Sequence, residues 1–227
     1  MQENRANADS GSIAGYPAAL DEFAHAAARI VLYRVARLED FVDREALLRE
    51  QEVAEPPYWA HLWIGARALA RRLAESRTLS GRRVLDLGCG LGLPGLVAAS
   101  LGAEVWFVDR ESAALEFVRR SAERNGFENV RVMRLDFTRD SLATDFDVIL
   151  GAEVVYDPVS YVPLGEFLER HLRRHGEIHL TDAFRSDAER FFAELRRRGF
   201  VGRREPAREW EEGRPQGLFL WIFRRAG

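Results

Sequence analysis

Val84-Leu-Asp-Leu-Gly-Cys-Gly-Leu-Gly-Leu-Pro-Gly95 is the stretch whose reading decides the fold. Val84 to Leu87 reads as a buried strand, the glycines at 88, 90 and 92 make a sharp loop, and Pro94 opens a helix. Glycine suits such a loop because a Cβ disfavours its dihedrals and would hold a ligand away from the backbone. The helix start that follows offers free N–H groups and a partial positive charge to a polar or anionic ligand group. A nucleotide-bearing cofactor is the first expectation.

Downstream, apolar runs alternate with helical periodicities in the manner of a parallel sheet. Strands are expected near 83–88, 104–109, 130–135, 146–152 and 176–182, and helices near 94–101, 112–125, 159–173 and 187–198. Gly102, Gly126 and Gly199 each follow a helix, where a left-handed cap is wanted, and Ser186 with Glu189 has capping-box spacing. Two more strands, Phe200–Glu205 and Gly217–Phe223, flank a charged loop around Trp210 to Pro215. A short connection makes them a hairpin, so the final strand runs antiparallel. The expected fold class is α/β: a Rossmann-like, doubly wound seven-stranded sheet, mostly parallel with an antiparallel C-terminal hairpin strand, and helices on both faces.

Upstream, residues 1–17 are small and polar and are expected to be disordered or loosely docked. Leu20, Phe23, Ala24 and Ala27 have helical spacing, which predicts a helix over 18–28. Ile30 to Leu38 reads as a strand or extended segment, and Ala46 to Glu52 as a short polar helix. Glu55-Pro-Pro-Tyr-Trp-Ala-His-Leu-Trp63 then leads into a helix ending near Ala74, with Leu62, Ala66, Leu69, Ala70 and Leu73 on one face. His61 reads as structural. The chain is expected to divide into an N-terminal extension, 1–52, and a main domain, 53–227.

Composition narrows the function. With 227 residues and 47% hydrophobic content the chain is long enough for one sizeable core. A net charge of −3 argues against a nucleic-acid clamp, which needs a basic excess. Cys89 is the single cysteine, so an internal disulfide and a cysteine-based zinc site are both excluded; a reducing cytoplasm fits, and no metal is expected. The N-terminal residues lack the pattern of a signal peptide, and arginines interrupt every apolar segment before it reaches membrane-span length.

The glycine string does not by itself choose the cofactor. Gly90-Leu-Gly92-Leu-Pro-Gly95 satisfies G-x-G-x-x-G, and Asp109 lies where nicotinamide dinucleotide (NAD) enzymes carry a ribose-binding acid. Three features point instead to S-adenosylmethionine. Asp86 lies inside a buried strand, where an ionised carboxylate needs compensation that a positively charged amino group supplies and NAD does not. The glycines at 88, 90 and 92 begin two residues after that acid, and the closing hairpin departs from the usual dehydrogenase sheet.

At this point the chain, over about residues 55–224, resembles the class I, seven-stranded S-adenosylmethionine-dependent methyltransferases, and "DLGCGLG" resembles their first motif. The resemblance implies that Asp86, Gly88, Cys89, Gly90 and Gly92 line the methionine end and that Asp109 binds the ribose hydroxyls. Asp136 and Phe137 are implied at the adenine. A narrower resemblance rests on Pro57 to Trp63, Gly92 to Ala103 and Gly151-Ala-Glu-Val-Val-Tyr156. These are similar to the small protein-lysine methyltransferases, the family that includes the electron-transfer-flavoprotein β-subunit lysine methyltransferase. There, Trp63 and Ala152 are implied to touch the cofactor.

That family carries Asp-x-x-Tyr after the fourth strand, whereas this chain has Glu153-x-x-Tyr156. The charge is kept and the reach lengthens by one methylene. Glu153 is implied to orient the acceptor amine and Tyr156 to shape its pocket, with Trp59 and Trp63 close by. The implied activity is N-methylation of a lysine in a protein substrate; the alternative is a small-molecule N-methyltransferase acting on a nicotinamide-like or amine substrate. A non-catalytic cofactor-binding scaffold and an NAD-dependent oxidoreductase are the remaining readings. All 33 basic residues are arginine, so the chain offers no side-chain amine of its own to methylate.

Overall fold

Each central strand sends successive side chains to opposite faces of its sheet, and the apolar runs follow that rule. Val84, Val105, Phe107, Val148, Leu150, Leu220 and Ile222 belong to one hydrophobic cluster. Leu85, Leu87, Val108, Ile149, Trp221 and Phe223 belong to the other. A strand buried on both faces therefore reads as continuously apolar, and helices are needed on both sides to cover it.

The computed structural model describes residues 11–41, 56–75, 79–182, 188–211 and 213–227. Its main sheet is built from β4 (Arg83–Leu87), β5 (Glu104–Asp109), β6 (Val130–Arg134), β7 (Phe146–Ala152), β8 (Leu172–Asp182), β9 (Phe200–Glu211) and β10 (Arg214–Arg225). The seven strands lie in the order β6-β5-β4-β7-β8-β10-β9, with β10 antiparallel to both neighbours and the others in parallel register. The first cluster includes residues of α1 (Ile64–Ala74), α2 (Leu93–Ser100) and α3 (Ser112–Arg124), and the second those of α4 (Tyr161–His171) and α5 (Ala188–Arg197). This is the expected doubly wound sheet with its antiparallel hairpin strand. Gly102, Gly126 and Gly199 take positive φ behind their helices. The helix expected over 46–52, Glu55 and Ser186 of the capping box lie outside the described residues.

The N-terminal expectation needs correction. Residues 18–28 are not helical: β1 (Ser12–Ile13), β2 (Tyr16–His25) and β3 (Ala28–Val35) form an antiparallel three-stranded sheet. Residues 11–17, expected to be loose, supply β1 and the start of β2, and Ile13 is buried. The spacing of Leu20, Phe23, Ala24 and Ala27 misleads because only Ala18 and Phe23 of β2 are buried. The open edge of β3 is closed by side chains of α3 and of Asn125, its C-cap. Val31 N–H donates to Asn125 Oδ1 at 3.0 Å, Asn125 Nδ2 donates to the Val31 carbonyl at 2.6 Å, and Tyr33 N–H donates to Ser121 Oγ at 2.9 Å. Ile13, Phe23, Ile30 and Leu32 share the first cluster with Leu96 and Phe117, so this small sheet and the main one are packed through common helices.

Helix α1 is a strut between the two ends of the chain. Its alanines let it lie flat on the sheet, and its arginines reach outward. Arg67 pairs with Asp21 of β2 at 3.7 Å, while Arg71 pairs with Glu209 at 2.7 Å and Arg72 with Glu205 at 3.4 Å, both on β9. Its N-terminus points at the carboxyl ends of β7 and β8, where the candidate site lies.

Candidate active site

The loop after β4 is held by the strand acids around it. Asp86 is 1% exposed, and its Oδ2 accepts a 2.9 Å hydrogen bond from the N–H of Gly95 in the first turn of α2. Burial pushes its carboxyl up to about 8, the Gly95 hydrogen bond works against that, and the nearby Asp109 charge adds to it. The first compensation for this acid is thus a helix-start amide, which the sequence reading did not foresee. Cys89 is buried, and burial with the Asp109 and Asp86 charges holds its thiol well above the usual range, so it is a neutral, unreactive wall.

Glycine at 88 and 90 proves to be required by the protein's own packing. Both take positive φ, 59° and 52°; a Cβ on Gly88 would come 2.9 Å from Val154, and one on Gly90 would come 3.0 Å from the Trp59 carbonyl oxygen. The Trp59 segment therefore lies directly over the loop. Asp109, at the end of β5, is 8% exposed; Oδ2 accepts from Gly90 N–H and Oδ1 from Glu111 N–H, each at 2.9 Å. Burial raises its pKa, opposed by those two hydrogen bonds. The structure thus joins Asp86, Gly88, Cys89, Gly90, Gly92 and Asp109 at one end of β4 and β5.

Asp136 and Phe137 follow β6 on the other side of β5. Asp136 mostly holds its own turn: its Oδ1 accepts from the Thr138 hydroxyl at 2.6 Å and from Thr138 N–H at 3.0 Å, contacts that draw its carboxyl below the usual range. Phe137 packs against Phe167 of α4, with ring centroids 6.5 Å apart.

The aromatic segment before α1 bridges both sheets. Trp59 packs on Tyr16 of β2 and Phe117 of α3, with centroids 5.2 and 5.4 Å away. Trp63 Nε1 donates to the Tyr58 carbonyl at 3.0 Å, and the His61 ring stands edge-on to Trp63 at 4.7 Å. His61 also meets Glu211 of β9 at 3.4 Å, a tethering role.

Glu153 is the strained residue of the site. It follows Ala152 at the end of β7 with φ 57°, a conformation that disfavours a Cβ-bearing residue, and it is 8% exposed. Its Oε1 accepts from the N–H of Gly65, one residue into α1, at 3.0 Å. The carboxylate therefore sits at the positive end of that helix. A Cβ on Gly65 would fall 2.5 Å from Thr181 Oγ1 and 2.6 Å from Glu153 Cγ, so Gly65 makes room for the acid. Thr181 Oγ1 is buried beside it with no hydrogen-bond partner among the described residues. Tyr156, three residues on, is 50% exposed. Gly65, Thr181 and Val154 were missed from sequence; the one available signal was a glycine in the first turn of an alanine-rich helix.

The fold and this corner define the class. The chain superposes on the precorrin-6y C5,15-methyltransferase of Geobacter metallireducens with a TM-score of 0.59 at 15% identity, covering 70% of this chain and 87% of that one. It superposes on a TehB-like S-adenosylmethionine-dependent methyltransferase of Corynebacterium glutamicum with a TM-score of 0.55 at 19% identity, covering 84% and 98%. The architecture is that of the class I S-adenosylmethionine-dependent methyltransferases.

Within that class, residues 43–198 match the lysine methyltransferase family, and the chain belongs to it. It is 36% identical to the protein N-lysine methyltransferase METTL21A of Danio rerio, over 61% of this chain and 67% of that protein. It is 33% identical to the histone-arginine methyltransferase METTL23 of Xenopus laevis, over 57% and 58%. With the electron transfer flavoprotein β-subunit lysine methyltransferase of Xenopus laevis the identity is 34%, over 53% and 49%. The matched stretches thus span about half to two thirds of these curated relatives.

The residues fit the family's methyl donor, S-adenosylmethionine. A buried carboxyl pushed to about 8 regains its charge beside a cationic amine, and Asp109 adds a second acid at the neighbouring strand end. No group of three or more His, Cys, Asp or Glu side chains among the described residues forms a metal cage.

Proposed function

We propose that this chain is an S-adenosylmethionine-dependent N-methyltransferase whose acceptor is a lysine side chain of a protein substrate. The observation that carries the reading is Glu153, buried at the end of β7 in a left-handed conformation and held by the Gly65 amide. A family match over residues 43–198 and relatives named as protein lysine and arginine methyltransferases support it.

In this reading Asp86, Gly88, Cys89, Gly90 and Gly92 hold the methionine end, Asp109 holds the ribose, Asp136 and Phe137 border the adenine, and Trp63 and Ala152 flank the donor. When bound, S-adenosylmethionine supplies a methyl group already activated on a sulfonium, so alignment is the main task left to the protein. A lysine amine, with a solution pKa near ~10.4, arrives protonated. The Glu153 carboxylate attracts and orients it, and the partly apolar surroundings of Trp63 and Tyr156 disfavour its charged form, so that the proton leaves to water. Aromatic faces then favour the positive charge that remains on the methylated amine.

Glu153 is kept in place by the Gly65 amide, which donates to Oε1. The proposed division is an extension, 1–52, and a methyltransferase domain, 53–227; the family match begins at residue 43, inside that extension. A reducing cytoplasm remains the proposed compartment, on the strength of the single unpaired Cys89.

The second reading, a small-molecule N-methyltransferase, draws on one observation: Tyr16 of the N-terminal sheet packs on Trp59, which covers the glycine loop, and Phe41 packs on Tyr16. One experiment separates the two. The purified chain and labelled S-adenosylmethionine are incubated with host lysate, and protein and small-molecule fractions are counted separately. Label in protein that Glu153→Ala abolishes, with S-adenosylmethionine still raising the melting temperature of the variant, supports the lysine reading. Label confined to small molecules overturns it.

A further inference from the structure

The closing hairpin is longer than its place in the sheet requires. Among the described residues β10 pairs with β8 from Phe219 to Phe223, against Asp182 to Ile178, so Arg214–Leu218 and their β9 partners Ala207–Glu211 extend past the described part of β8. They lie beside the carboxyl end of the described part of β8, where Thr181 pairs with Ala152, the residue before Glu153. The arm is anchored on one face. Ala207 and Leu218 pack on Ile64 and Ala68 of α1, Glu209 pairs with Arg71, and Glu211 meets His61 beside Trp63.

Strand alternation turns Arg208 and Trp210 to the other face, opposite Gly217 and Pro215. Trp210 is 70% exposed and makes no ring contact among the described residues. Arg208 is exposed and forms no ion pair among them, although other arginines along β9, such as Arg203 and Arg204, do. A tryptophan next to a proline and an uncompensated arginine, on a strand braced from behind, is a rigid anchor of the kind protein interfaces use.

We propose that this outer face of the arm docks the protein substrate and selects which lysine reaches Glu153. It takes a segment that lays a hydrophobic side chain on Trp210 and Pro215 and presents a carboxylate to Arg208. Charge decides the partner's chemistry: among the described residues the unpaired charge on the face is the Arg208 cation, so the complementary segment is acidic and apolar. This rests on the protein-methylating reading, and it places specificity on the hairpin, apart from the residues that position the amine.

The test uses the full chain, labelled S-adenosylmethionine and protein from host cells lacking this chain as acceptor. Trp210→Ala and Arg208→Glu are compared with the unaltered chain and with Glu153→Ala. Both arm variants alter exposed side chains, so their melting temperatures and S-adenosylmethionine binding are expected to stay unchanged. Protein labelling at low acceptor concentration is expected to fall at least about tenfold and to recover as acceptor is raised, whereas Glu153→Ala stays inactive throughout. A synthetic peptide carrying aspartate and leucine should inhibit the unaltered chain and not Arg208→Glu; its asparagine and serine counterpart should inhibit neither. Arm variants that label protein as fast as the unaltered chain, with the peptides without effect, overturn the docking proposal and leave the methyltransferase reading standing. An unaltered chain that labels no protein overturns both.

Discussion

Asp86→Asn is expected to make the ligand-free protein more stable and a poorer host for S-adenosylmethionine. Asp86 is 1% exposed and its carboxyl is pushed from 3.8 up to about 8. An acid whose folded pKa is raised binds its proton more tightly when folded, so stability is lost as pH rises from 3.8 towards 8. Each pH unit in that window removes about 1.4 kcal/mol, so by pH 7 the side chain costs the apo fold up to about 4 kcal/mol. Asparagine keeps an oxygen for the Gly95 amide, now 2.9 Å from Oδ2, and has no charge to lose. Urea denaturation at pH 5 and pH 8 is the assay. The unaltered apo chain should lose about 2–4 kcal/mol between them, and Asp86→Asn much less. Titration with S-adenosylmethionine should show affinity rising with pH for the unaltered chain and flat, weak binding for the variant. Equal pH slopes for the two proteins would refute the reasoning.

Other expectations follow from single contacts. Glu153→Gln keeps an acceptor for the Gly65 amide but removes the charge, so transfer should fall by about 10²-fold with stability preserved; chemical denaturation and initial rates measure both. Gly65→Ala would force a Cβ to 2.5 Å from Thr181 Oγ1 and 2.6 Å from Glu153 Cγ, and should cost about 1–3 kcal/mol together with activity. Ala26→Gly relieves an alanine held at φ 47° in the β2–β3 turn and should raise stability by about 0.5–1 kcal/mol without touching turnover. Asn125→Ala opens the edge of β3 by removing three side-chain hydrogen bonds, and should cost about 2 kcal/mol, read as early proteolysis of the N-terminal sheet.

The centre of the parallel sheet was legible because β4, β5 and β7 are mostly buried on both faces and so announce themselves as nearly continuous apolar runs. Successive residues such as Val148 and Ile149 divide between the two clusters, and glycines follow the helices between the strands. The N-terminal sheet was not legible. Its hairpin turns on Ala26 and Ala27, which lack the glycine or asparagine that marks a tight turn, and the buried residues of β2, Ala18 and Phe23, lie five apart and show no strand alternation. The length of the closing hairpin was hidden by Pro206, where the expected strand stops at Glu205, and by the charged stretch Trp210 to Pro215, which reads as a loop but supplies the ends of β9 and β10; as β9 lies at the edge of the sheet, Pro206 is tolerated there. At the site, the acids in β4 and β5 and the one directly after β7 could be picked out by position. Their partners could not, because the Gly95 and Gly65 amides and the Trp59 carbonyl are backbone groups that carry no residue signature.

The most direct test of the central claim is amino-acid analysis of the protein labelled in trans by this chain from methyl-labelled S-adenosylmethionine. The chain has no lysine, so every labelled lysine must come from an acceptor protein. The account requires the label in methyllysine, lost with Glu153→Gln. Label in methylarginine, in small molecules alone, or undiminished in that variant would contradict it.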